Sequence, residues 1–70
     1  MRIAKDKLNF SQREIEVLDL VKEGHSSKEI ADILNMTEDT IETYRRKMMK
    51  KTGAKNMVVV VYAAQNHGLI

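Results

Sequence analysis

The segment Glu42-Thr43-Tyr44-Arg45-Arg46-Lys47, followed by Lys50, concentrates side chains that can read or hold a polyanion. Arginine offers a two-pronged donor that fits guanine, and a carboxylate can accept a hydrogen bond from cytosine N4. Hydroxyls and cations bind phosphate oxygens. The charge pattern along the chain agrees. All ten acidic residues lie between Asp6 and Glu42, whereas Thr43 to Ile70 carries six basic residues and no acid. The second part is therefore +6, and residues 1 to 42, with six basic and ten acidic groups, are −4. All six cations of the second part fall between Arg45 and Lys55. Such polarity suits a polyanionic partner, nucleic acid before membrane. A solvated helix face is the plain alternative.

Other chemistries find little support. The chain has no cysteine, which removes disulfides, thiolate metal sites and cysteine nucleophiles. His25 and His67 stand in different loops or helix ends, a poor basis for a metal site. Serine, histidine and aspartate are all present, but a nucleophile needs a shielded pocket, and 70 residues bury only one thin core. Met36, Met48 and Met49 suit flexible core filling. The longest apolar run, Met57 to Ala64, is far short of the roughly 20 residues of a membrane span. The charged start, Met1 to Asp6, has no signal-peptide stretch. The expectation is a cytoplasmic, non-enzymatic domain without cofactor, metal or small-molecule ligand.

Four helices must position these groups. Ser11-Gln12-Arg13-Glu14 and Ser26-Ser27-Lys28-Glu29 are capping boxes, in which serine hydroxyl and glutamate carboxylate satisfy backbone donors left open at a helix start. Helix one is read as Gln12 to Glu23, with Val17, Leu18, Leu20 and Val21 buried and Gly24 at its end. Helix two buries Ile30, Ala31, Ile33 and Leu34, and Asn35 tolerates the left-handed conformation that ends it. Thr37 caps helix three, Glu38 to Thr52, which stops at Gly53. Helix four begins near Asn56, turns Val60, Val61 and Ala64 inward, and stops at Gly68. Val58 to Tyr62 is β-prone, but a lone strand has no partner, so helix is the reading.

Helix two, a short turn and helix three have the lengths of a helix-turn-helix. At about 100° per residue, Ile41, Tyr44 and Met48 fall together and face the core. Opposite lie Asp39, Glu42, Thr43, Arg46 and Lys50, with Arg45 and Lys47 flanking. Glu42 and Arg46 are four residues apart and can pair along the helix. On helix four, Val58, Val59 and Tyr62 remain as an exposed apolar strip.

The residues Phe10-Ser11-Gln12-Arg13-Glu14-Ile15-Glu16-Val17-Leu18, Gly24, Ser26-Ser27-Lys28-Glu29-Ile30-Ala31, Thr40-Ile41-Glu42-Thr43-Tyr44-Arg45, Lys51-Thr52-Gly53-Ala54-Lys55-Asn56 and Gly68-Leu69-Ile70 resemble the LuxR-type DNA-binding domain. That is the effector domain of NarL/FixJ response regulators and of quorum-sensing regulators. The resemblance spans Leu8 to the terminus and leaves residues 1 to 7 as an arm or linker remnant. It implies an all-α, compact four-helix domain that binds double-stranded DNA, with helix three in the major groove and helix four as a homodimer contact. It further implies base reading by Glu42, Thr43 and Arg46, and phosphate contacts from Ser27, Lys28 and Thr40, to which the flanking Arg45 and Lys47 and the outward Lys50 add. Val58, Val59 and Tyr62 would form the dimer interface. RNA polymerase is a further partner expected of such a regulator. Tyr44, Thr52 and Met57 replace a His, a frequent Leu and a frequent Arg of the family, and Glu42 stands where Lys is frequent, which bears on the operator sequence.

The reading is a bacterial transcription regulator's DNA-binding domain, either the effector part of a longer response regulator or a free-standing protein. Its rival is a helical protein-interaction module whose basic face meets an acidic protein.

Overall fold

A computed structural model describes residues 9–70. The arm assigned to residues 1 to 7 lies outside the described residues. Four helices follow one another: α1 (Gln12–Lys22), α2 (Ser27–Leu34), α3 (Glu38–Thr52) and α4 (Met57–Asn66). Each start is fixed by a local hydrogen bond that the sequence encodes. Ser11 and Ser26 accept from the backbone N–H of Glu14 and Glu29, and both glutamates reach back to complete their capping boxes. Thr37 accepts from the N–H of Thr40, and Asn56 from that of Val59.

The four ends share one device. A residue with positive φ (Gly24, Asn35, Gly53 or Gly68) reverses the chain, and the next N–H bonds a carbonyl five residues back. These closing bonds are His25 to Leu20, Met36 to Ala31, Ala54 to Met49 and Leu69 to Ala64, at 2.8–3.1 Å. Terminal carbonyls that would otherwise be unsatisfied are thereby paired. α1 ends at Lys22, one residue before the expected Glu23, which serves as its C-cap. Val58 to Val61 are helical, because an isolated strand would leave its backbone unpaired.

α3 packs on all three other helices. Val17, Leu18, Ile30, Ile41, Met48, Val60 and Ala64 are the sealed centre. Removing each large side chain of this set from water contributes about 1.5–3 kcal/mol. Leu20, Val21, Leu34, Met36, Tyr44, Met49 and Val61 are half-buried around it. One core assignment is corrected: Ile33 is 52% exposed. The buried stripe of α2 runs through Ile30, Ala31 and Leu34, and at about 100° per residue Ile33 falls well to one side of it. Conversely, Met57 and Ala63 are buried, extending the α4 contact beyond Val60, Val61 and Ala64.

Candidate nucleic-acid interface

The outward face of α3 is organised by bonds along the helix. The Thr43 hydroxyl donates to the Asp39 carbonyl at 3.0 Å, and the Arg46 guanidinium donates to the Thr43 oxygen at 3.3 Å. Arg46 is thus steadied by its i−3 neighbour while both side chains remain exposed. The expected Glu42–Arg46 pair is not the one formed. Glu42, half-buried, turns toward Arg45, whose Nε lies 4.0 Å from its carboxylate. Arg46 instead finds the hydroxyl of Thr43, which sits nearer the middle of the outward face. Glu42, Thr43 and Arg46 therefore share this face, but two separate contacts position them.

The candidate phosphate contacts divide into groups. Ser27 and Arg45 line one cleft of about 540 Å³ with Lys22, His25, Met57 and Val58. Lys47 and Lys50 line a second, of about 460 Å³, with Ser11 and Tyr44. Lys28 is exposed on the first turn of α2. Thr40 shares a 2.8 Å hydroxyl–hydroxyl bond with Thr37 at the start of α3. Arg45 is set apart from Lys47 and Lys50, with a side chain only 26% exposed.

Not all six cations after Glu42 face solvent freely. Lys51 donates to Glu14 Oε1 at 2.7 Å and to the Asn9 carbonyl at 3.1 Å, and its ammonium stands 5.4 Å from the centre of the Phe10 ring. Glu14 is 3% exposed. Burial pushes its carboxyl pKa up, but the Lys51 hydrogen bond, the Ser11 backbone N–H and the Lys51 charge together outweigh that and hold it below the usual value. This tie between the start of α1 and the end of α3 cannot be seen in the charge pattern. Its only sequence signal is that the capping glutamate sits on the core side of its helix.

At the entry to α2, the His25 ring nitrogens lie 3.4 Å from Glu29 and 3.7 Å from Glu23. The Glu29 carboxyl is held below its usual pKa, first by the Ser26 backbone N–H and then by His25. No cluster suited to a metal ion occurs among the described residues, and no described helix is long and apolar enough to cross a membrane. On α4, Val58, Val59 and Tyr62 are 77, 38 and 65% exposed, while Met57, Val60, Ala63 and Ala64 are buried. The strip expected from the sequence is open to solvent on this chain.

Known proteins share this fold. Residues 8–64 match the GerE family, described as bacterial regulatory proteins of the luxR family. The chain is 42% identical over 64 residues to the regulatory protein SdiA of Escherichia coli, covering 91% of this chain and 27% of SdiA. It is 41% identical over 63 residues to the response regulator Rre1 of Synechocystis, covering 90% and 27%. The crystal structure of Escherichia coli SdiA superposes with a TM-score of 0.86 at 43% identity, over 90% of this chain and 26% of that one. The chain thus spans about a quarter of the length of these relatives. Its four helices, the helix-turn-helix at α2 and α3 and this match agree: the chain belongs to the LuxR family of bacterial regulatory proteins, as a LuxR-type DNA-binding domain.

Proposed function

We propose that this chain binds double-stranded DNA sequence-specifically to regulate transcription, laying α3 in the major groove. The observation that carries the reading is the outward face of α3, where Arg46 is exposed and steadied by Thr43. An arginine pre-ordered in this way loses little freedom when it grips a guanine edge. In this reading Glu42 accepts from cytosine or keeps phosphate away, and Thr43 supplies a hydroxyl. Lys50 on this face and Lys47 on its flank line one cleft, Ser27 and Arg45 line another, and Lys28 and Thr40 offer contacts in the first turns of α2 and α3. Two copies meet through Val58, Val59 and Tyr62 of α4 and occupy two half-sites.

The likeness to the response regulator Rre1 supports a role as the effector domain of a longer, cytoplasmic two-component regulator, with RNA polymerase as a further partner. The domain acts by positioning, without chemistry.

Salt titration of duplex binding tests the reading. Two copies, each presenting Lys28, Arg45 and the Lys47 and Lys50 pair, make about six phosphate contacts, for which affinity falls about a thousandfold between 50 and 200 mM salt. Affinity that is flat across this range would contradict phosphate contact. A chain that ignores duplex DNA and captures an acidic protein would favour the protein-interaction reading.

A further inference from the structure

The cleft between the start of α1 and the flank of α3 is lined by Ser11, Glu14, Tyr44, Lys47, Lys50 and Lys51. Its charges do not cancel. Glu14 is taken up by Lys51 at 2.7 Å and by the Ser11 N–H at 2.8 Å, so Lys47 and Lys50 leave the cleft with two uncompensated cations. Tyr44 is half-buried with its ring against the core, and its hydroxyl has no hydrogen-bond partner among the described residues. Tyr44, Lys47 and Lys50 therefore line one concave surface.

We propose that this cleft seats one phosphodiester of the bound DNA, with Lys47 and Lys50 supplying charge and the Tyr44 hydroxyl a neutral hydrogen bond. The proposal rests on the DNA-binding reading above and extends the interface from α2 and α3 to the start of α1. Geometry selects a backbone phosphate over a base. A helix about 10–12 Å across fills a major groove about 12 Å wide, so its tip reads bases while its flanks meet the phosphate strands. Tyr44 is about 100° round α3 from Thr43, with Lys47 between them. The cleft is thus continuous with the reading face and turned toward a strand. Glu14 does not repel the phosphate strongly, because Lys51 already neutralises it.

The two donor types have different signatures. A lysine that neutralises a phosphate releases counterions and steepens the salt dependence, whereas a phenol hydroxyl adds affinity at every salt concentration alike. The test is binding of the full chain to one duplex from 50 to 200 mM salt, with phosphate-ethylation interference on the same duplex. Tyr44→Phe keeps the packed ring. It is expected to bind about two- to tenfold more weakly at each salt concentration with an unchanged slope. It should also lose sensitivity at one phosphate per half-site. Lys47→Gln and Lys50→Gln should each weaken binding, and the double variant should lower the slope by about 0.9 for the one phosphate left without a lysine in each half-site. Wild-type affinity and an unaltered interference pattern in Tyr44→Phe would overturn the proposal while leaving the DNA-binding reading intact. If Tyr44→Phe loses helicity, the lysine variants decide. A phosphate at which both become insensitive supports the shared cleft, and different phosphates for the two overturn it. Failure of the wild-type chain to bind any duplex would instead remove the underlying reading.

Discussion

Replacing Lys51 by Met removes the ammonium and retains much of the aliphatic stem. It leaves Glu14, whose side chain is 4% exposed, with the Ser11 backbone N–H as its donor. A fully buried ion pair that loses one partner costs about 3–5 kcal/mol. Here the Lys51 side chain is 37% exposed, so water reaches the carboxylate in its absence and the cost falls to about 2 kcal/mol. A domain of this size has a total stability of about 3–10 kcal/mol, so the loss is a large share. It corresponds to a drop in Tm of about 8–16 °C. Thermal and urea unfolding of the wild type, Lys51→Met, Glu14→Gln and the double variant would measure the coupling directly. The pH dependence follows from the lowered Glu14 pKa. In the wild type, the contribution is fully present above the unfolded carboxyl value of 4.5 and is lost as pH falls through the lower folded pKa. The deficit of Lys51→Met should therefore be full at neutral pH and shrink in acid. A deficit below about 0.5 kcal/mol, or one unchanged between about pH 7 and pH 3, would refute the reasoning.

The α4 strip and the acid on α3 give two further tests. Val59→Glu with Tyr62→Glu should abolish cooperative filling of two half-sites, read by gel shift, without loss of helicity, because neither side chain belongs to the sealed core. Unaltered cooperativity would rule the interface out. Glu42→Ala should raise affinity for random duplexes, since it removes a negative charge near phosphate and frees Arg45 from its 4.0 Å partner. Lower affinity on random duplexes would show that Glu42 serves binding by holding Arg45.

The elements are legible in the sequence because their signals are local. The cap at Ser11 or Asn56 needs only three following residues, and the reversal at Gly24 or Asn35 needs one residue tolerant of positive φ. The rest depends on distant partners. Nothing within one turn of Glu14 announces that a lysine 37 positions later will neutralise it, and burial of Thr52 depends on the end of α3 meeting the other helices. Residue type alone points Ile33 inward, yet packing sets the orientation of a helix of eight residues. On the candidate site, face membership follows from helical periodicity. The choice of Thr43 over Glu42 as the Arg46 partner does not, because i−3 and i−4 neighbours compete and side-chain direction decides between them.

The central claim is that the outer face of α3 reads base edges, and parallel selection from a random duplex library by the wild-type chain and Arg46→Ala tests it most directly. The wild type should enrich two half-sites at a fixed spacing. Arg46→Ala should relax preference at one base position per half-site, losing about 1–3 kcal/mol on the preferred sequence while retaining its binding to random duplexes. Identical enriched sequences from both proteins, or no enrichment by the wild type, would contradict the claim.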